Sequence, residues 1–295
     1  LAFRYGIIAG GDGGIPEGGS LAMAKRMKDK FLSLGGQLKI NAPVSDVLKE
    51  NGKTVGVILE NKAQFFSDYV ILATDINYAI HDLLKDKYKI KKLNKRYADP
   101  VRYPAMSACL LTYEAKNIQT PIHYAFECEE FRCGVSNIIH LIIRNHNYDE
   151  KTYVKDGKTL VSVLIDQYGC DYDFWNNLYA NNVDEYKRLK ELLGEEVRKR
   201  VIKQIPEFED SLILLDVATP KTLNRYTNVS RGAYMSFMFT SQDFAFSHNG
   251  VIKGLDNLVL AGQWLQAPGG LPIAAAEGKF AVQRICKLEG KKFCE

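Results

Sequence analysis

Between Ser20 and Leu34 apolar side chains recur at Leu21, Met23, Ala24, Met27, Phe31 and Leu34, with lysines between them. That spacing is the period of a helix with one apolar face, and Gly35-Gly36 supplies its stop. Short runs of strand character follow at Gln37–Ile40, Val44–Lys49, Thr54–Glu60 and Gln64–Phe66, with Asn51-Gly52 as a hairpin turn between the second and third. Tyr69–Thr74, YVILAT, is a continuous apolar run of the kind buried on both faces in a parallel sheet. After it the pattern changes to KDKYKIKKLNKRYADP over residues 85–100, a composition shift that reads as a boundary. Pro104–Tyr113, Ile122–Phe126, Val135–Arg144 and Thr159–Ile165 then alternate or run apolar as strands do, with Asp156-Gly157 as a second hairpin turn. Asp171–Gln204 is a helical stretch dense in Lys, Arg and Glu. Ser211–Ala218 and Leu258–Ala261 read as strands, and Pro272–Lys287 as the last helix.

Composition narrows the class. A chain of 295 residues with 46% hydrophobic and 25% charged positions is globular in character. A formal charge of +4 is too small at this length to argue for nucleic acid. No apolar run reaches bilayer length. Six cysteines without framework spacing suggest reduced thiols, and the expected location is cytoplasmic. The basic stretch Lys85–Arg96 reads first as a solvated linker or helix face. Its sharper reading is peripheral contact with an anionic membrane surface, although Leu83, Leu84, Ile90 and Leu93 offer little apolar area for it.

Candidate chemistry begins with two decoys. IIAGGDGGIPEGGS, over Ile7–Ser20, looks like a strand running into a dinucleotide turn, but Pro16 stands where G-x-G-x-x-G needs its third glycine. Asp12 and Glu17 add negative charge where a pyrophosphate would sit, and Asn41 replaces the acid that holds a ribose. The residues themselves give a glycine-rich loop leading into a helix, with Pro16 near its start, where a missing N–H costs least. Gly52-Lys53-Thr54 and Gly157-Lys158-Thr159 mimic a phosphate loop, yet Val47 and Thr152 occupy the earlier glycine positions. Cys128, Cys133, His140 and His146 resemble a zinc set only superficially, because the gap between the pairs is half the usual length; no metal site is assigned. No G-x-S-x-G nucleophile elbow occurs.

The informative segment is Asn257–Cys286, NLVLAGQWLQAPGGLPIAAAEGKFAVQRIC. A buried strand ends at Ala261-Gly262, a loop carries Trp264 and Gly269-Gly270, and a helix opens at Leu271-Pro272. Its first turns hold only Ala274, Ala275, Ala276 and Gly278 around Glu277, so bulk is missing where a planar ligand or a neighbouring backbone comes close. A helix start presents free N–H groups and a positive dipole end. A reduced flavin, negative near N1, would be stabilised there, with the Ile273 amide as a donor and Pro272 unable to donate. Tight helix–sheet packing without a ligand explains the same residue types, and the residues alone leave both readings open.

This segment resembles the C-terminal flavin motif of the FAD-dependent amine oxidase superfamily, closest to its phytoene desaturase and carotenoid isomerase branch. Gly262, Gln263, Gly270, Leu271, Pro272 and Ile273 sit on the motif positions that close over the flavin ring and ribityl chain. Pro16-Glu17-Gly18-Gly19-Ser20 resembles the segment that opens a helix beneath the active site. Asn41-Ala42-Pro43-Val44 resembles the strand whose valine backbone meets the adenine. Thr219-Pro220, Arg225-Tyr226 and Gly232 resemble a late motif of the substrate domain. The resemblance implies an α/β fold: a partial Rossmann-like FAD-binding domain from residues 1–84 and 245–295, with an inserted substrate domain of antiparallel sheet and helices at 85–244. It implies FAD held by Val44, Gly262, Gln263, Gly270, Leu271, Pro272 and Ile273. It implies an apolar, polyene or isoprenoid-like substrate near Gly18, Gly19, Tyr234 and Trp264. Tyr234, Phe237, Met238 and Phe239 form an apolar–aromatic cluster whose counterpart in the family lies near the substrate tunnel. The family's own G-x-G-x-x-G unit is missing from this sequence, so the expected identity is the C-terminal portion of a longer flavoprotein. The competing expectation is a non-catalytic binding or structural module without its cofactor half. An amine oxidase proper would want a pair of aromatics facing the flavin, and Trp264 alone does not supply one.

Overall fold

The computed structural model describes residues 14–88, 90–241, 243 and 246–294. The glycine turn around Gly11 and Gly13 lies outside the described residues. Helix α1, Gly19–Ser33, starts and stops as its pattern predicts, but Leu21, Met27, Phe31 and Leu34 are exposed, so its apolar stripe has no core beneath it. Strands β1 (Val44–Glu50), β2 (Lys53–Leu59) and β3 (Gln64–Phe66) form an antiparallel meander. Asn51 and Gly52 both adopt positive φ, 49° and 79°, the geometry a two-residue hairpin needs.

The expected strand at Gln37–Ile40 does not form. Strand structure requires a partner, and no neighbouring strand lies against this run among the described residues. Leu38 and Ile40 are left 50% and 76% exposed. The apolar run at Tyr69–Thr74 contains β4, Val70–Leu72. Its expected burial on both faces does not hold: Val70 and Leu72 bury one face, while Ile71 on the other is 39% exposed.

A short helical turn at Ile76–Tyr78 and a wider one at Ala79–Leu83 follow, then helix α2, Lys91–Ala98. The basic stretch is therefore in part a helix face. Leu83, Leu84, Ile90 and Leu93 are all buried in the core. These four side chains therefore present no apolar surface outward.

The largest unit is a six-stranded antiparallel sheet, from β5 (Ala105–Lys116), β6 (His123–Cys133), β7 (Ser136–Asn145) and β8 (Lys158–Gln167). Helices α3 (Gly169–Asn181) and α4 (Val183–Gln204), strand β9 (Ile213–Ala218), helix α5 (Pro220–Thr227) and strand β10 (Ala233–Phe237) follow. The sheet order is β10-β5-β8-β7-β6, with β9 also on β5. The helical stretch at 171–204 breaks at Asn182, whose side chain accepts from the Glu185 amide at 3.1 Å and so caps a second helix.

Period-two alternation sends Cys109, Leu111 and Tyr113 of β5, and Val161, Val163 and Ile165 of β8, to one face. There they pack with Trp175, Tyr186, Leu193, Val197 and Val201 of α3 and α4. Each such side chain contributes on the order of 2 kcal/mol. On the other face Leu110, Leu164 and Ile142 are half-buried, and no helix of the described residues joins this core from that side. A second core gathers Val70, Leu72, Ile76, Ile80 and Leu93 with Phe237, Phe246, Leu258, Leu260 and Trp264. Strand β11, Leu258–Leu260, pairs in parallel with β4, and helix α6, Leu271–Leu288, completes the chain.

Candidate functional site

The parallel pair positions the site. β4 and β11 run side by side from Val70↔Leu258 to Leu72↔Leu260, and the Ala261 amide donates to the Leu72 carbonyl at 2.9 Å. Both strands end at one edge, where Gly262 turns away at φ 106°. A side chain built there would meet nothing nearer than the Ala73 carbonyl oxygen, at 3.8 Å. The loop then folds back, and the Gln263 side-chain oxygen accepts from the Gly270 amide at 2.9 Å. Gly269 needs φ 78° and lies so close to β10 that a Cβ would come within 2.7 Å of the Ser236 nitrogen. The same strand donates its Ser236 amide to the Pro268 carbonyl at 3.0 Å. The loop is thus held to the six-stranded sheet by backbone contact, and only glycine fits.

Helix α6 opens directly after it. No side chain caps its start and its first turn holds no acid. Its first intrahelical bond is Ala274 to the Gly270 carbonyl, at 3.0 Å, which leaves the Leu271 and Ile273 amides without an intrahelical acceptor. Leu271 is 65% exposed. Around Gly270 the nearest atom to an added side chain is the Met235 methyl, at 3.8 Å. The lack of close contact at Gly262 and Gly270, and an uncapped helix start, are compatible with an electron-accepting ring whose reduced form is negative.

The expected site residues divide. Gly262, Gln263, Gly270, Leu271, Pro272 and Ile273 share this one loop and helix start, and Gln263 has a bracing bond within it. Val44 stands at the first position of β1, where its carbonyl accepts from the Tyr78 hydroxyl at 3.1 Å. Trp264, expected against substrate, is turned inward: it is buried among Tyr97 and Phe237, with ring centroids 5.4 and 5.1 Å away. The aromatic cluster splits for the same reason. Phe237 joins this core, while Tyr234 projects onto the half-buried sheet face, its hydroxyl 3.2 Å from Asp166 Oδ1 and 2.9 Å from Met106 Sδ.

Gly18 and Gly19 contact the connection between β7 and β8 instead. The Gly18 amide donates to Asp149 Oδ2 at 3.1 Å, and Gly19, at φ 76°, lies under the Tyr153 hydroxyl with no room for a Cβ. Beside them His146 packs on Tyr148 and Tyr153. Burial first, then the charges of Arg144 and His123, hold its imidazole down to a pKa of about 4.

Sequence reasoning missed Asp75. It sits at the end of the β4 run, accepts from the Tyr78 amide at 3.2 Å and from the Ser230 amide at 3.0 Å, and so ties the parallel pair to the segment before β10. Burial pushes its carboxyl up from the usual range, against the pull of these amides. An acid directly after an apolar run and before a helical turn is a capping signal, but its second partner lies 155 residues away. Also missed was Arg96, buried beneath Phe246 and paired with Asp243 through two short hydrogen bonds, 2.7 and 2.5 Å.

Comparison with known proteins bears on this geometry. A family model described as flavin containing amine oxidoreductase matches residues 4–286. A 4,4'-diapophytoene desaturase (4,4'-diapolycopene-forming) of Methylomonas sp is 22% identical over 292 residues, covering 94% of this chain and 54% of that protein. A chloroplastic prolycopene isomerase of Daucus carota is 22% identical over 227 residues, covering 75% of this chain and 36% of that protein. The chain thus spans about half of the desaturase and about a third of the isomerase. A crystal structure of an oxidoreductase from Methanosarcina mazei superposes with a TM-score of 0.51 at 15% identity, over 92% of this chain and 55% of that one. At that identity the likeness is one of fold, and it agrees with a mixed α/β architecture.

Proposed function

The chain belongs to the flavin containing amine oxidoreductase family, and from that premise we propose that it acts in FAD-dependent oxidation or isomerisation of an apolar, polyene or isoprenoid-like substrate. The observation behind this reading is the uncapped start of α6, where the Leu271 and Ile273 amides lack intrahelical acceptors directly after the glycine loop. A bound flavin supplies a hydride acceptor or donor at N5. The Leu271 and Ile273 amides, at the positive end of α6, stabilise negative charge placed before them. Gln263 holds the loop at the spacing those amides require, through its bond to Gly270. The Trp264, Tyr97 and Phe237 rings pack together and anchor the loop on its buried side. Leu110, Leu164 and Ile142, half-buried on the uncovered sheet face, offer an apolar bed that keeps water from a hydrocarbon chain.

Two relatives whose names carry carotenoid precursors, diapophytoene and prolycopene, support the polyene class. The test is anaerobic mixing of the FAD-loaded protein with phytoene dispersed in detergent. Visible flavin absorbance and the double-bond isomers of the product are followed together. Bleaching of the flavin, or a changed cis–trans composition that requires it, is expected. An unaltered spectrum with unaltered phytoene contradicts the proposal.

A further inference from the structure

Two of the six free cysteines meet inside the core of the six-stranded sheet. Cys109 lies in β5 and Cys133 ends β6, with β8 and β7 between those strands. A flat sheet would hold them three strand spacings apart, about 14 Å. They come together because β7 pairs with β8 only from Ile142 to Asn145. Before Ile142 the β6–β7 hairpin is free of β8, and its tip is fastened to the start of α3 instead. One carboxylate does this: Asp171 accepts from the Val135 amide at 2.9 Å, the Ser136 amide at 3.1 Å and the Ser136 hydroxyl at 2.7 Å.

Gln167 marks the point of convergence. The Cys109 S–H points at its Oε1, 3.7 Å away, and its Nε2 donates to the Cys133 carbonyl at 3.4 Å. Cys109 and Cys133 are 0% and 1% exposed, and their thiols lie within hydrogen-bonding reach of each other. Position separates their reactivities. Burial first, then the Cys133 thiol, pushes the Cys109 thiol well above its usual range, which makes it inert towards reagents outside the core. Cys133 stands next to the surface, since the turn that follows it leaves Val135 42% exposed. Opening of that turn, with the rest of the core intact, brings the Cys133 sulfur to solvent.

We propose that Cys109 and Cys133 form a redox modification site, a thiol pair that a hydroperoxide converts to a disulfide joining β5 to the tip of the β6–β7 hairpin. With hydrogen peroxide, the O–O bond breaks as one oxygen joins the Cys133 sulfur, giving a sulfenic acid and water. The Cys109 sulfur then displaces the hydroxyl. The S–S bond forms, the S–O bond breaks, and the hydroxyl departs as water with the Cys109 proton. Two thiols lose two electrons, and one peroxide becomes two waters. A thiol reductant restores the pair by exchange. Where thiols are kept reduced, disulfides are transient and redox-sensing rather than structural. The inference stands apart from the flavin reading, because neither sulfur belongs to the 262–270 loop or the start of α6.

Hydrogen peroxide is the probe. The full chain is reduced, freed of reductant and treated with peroxide at a concentration that leaves its far-ultraviolet circular dichroism unchanged. It is then alkylated in denaturant and digested for peptide mass analysis. A linked Cys109–Cys133 peptide is expected at least tenfold above any other cysteine pairing, and dithiothreitol is expected to abolish it. In Cys109→Ala the linked peptide is expected to vanish and Cys133 to appear as a sulfenic acid trapped by dimedone. Linkage of Cys133 to Cys128, on the same strand, would overturn the inference. So would recovery of Cys109 and Cys133 as free thiols while the exposed Cys170 and Cys294 are oxidised.

Discussion

Gly269 has the tightest structural demand in the site. Its φ of 78° and the 2.7 Å that would separate a Cβ from the Ser236 nitrogen act together, and that nearest neighbour is backbone, which cannot swing aside. Gly269→Ala is expected to cost about 2 kcal/mol, read as a lower midpoint in urea with an unchanged slope. At His146 the demand is electrical. An imidazole in the unfolded chain takes its proton near 6.5, and in the fold only near about 4. Its contribution is therefore whole above about pH 6.5, is lost progressively as the pH falls towards 4, and falls no further below that, where both states are protonated. His146 Nε2 lies 2.9 Å from the Ser162 hydroxyl, so His146→Gln keeps a polar partner there. Thermal melts across this window are expected to slope less in His146→Gln than in the parent. Equal slopes would assign the pH dependence elsewhere.

Elements bound by local rules were legible. The Asn51-Gly52 and Asp156-Gly157 turns appear with positive φ at all four residues, because two-residue hairpins demand it whatever surrounds them. The start of α6 at Leu271-Pro272 was legible for a similar reason, since proline in the first helical turn costs nothing. Pairing between distant segments was not. Gln37–Ile40 has a strand's composition and, among the described residues, no strand beside it. For Trp264, expected near substrate from the resemblance alone, sequence does not show the Tyr97 and Phe237 rings it packs against. Asp75 is the clearest case, since it joins the end of β4 to Ser230. Removing it strands two amide donors at the junction of the two cores, and a hydrogen bond to a charged group is worth about 2 kcal/mol. Asp75→Ala is expected to lower stability by that order and to raise amide exchange at Tyr78 and Ser230 together. Protection lost at only one of them would show that the carboxylate does not couple the two segments.

At the scale of the molecule, two cores meet along β10, which lies against β5 on one side and the 262–270 loop on the other. In the proposed function, the flavin sits at the helix start that follows this loop. The proposal assigns the redox bias to this helix end, so the reduction potential of bound FAD tests it most directly. A helix N-terminus favours an adjacent negative charge by about 0.3–2 kcal/mol, and for a two-electron couple about 1.4 kcal/mol corresponds to about 30 mV. FAD bound to the protein is expected to show a midpoint tens of millivolts above that of free FAD under the same conditions. A midpoint equal to or below that of free FAD, or no FAD retained at all, would contradict the assignment of the α6 start to the flavin.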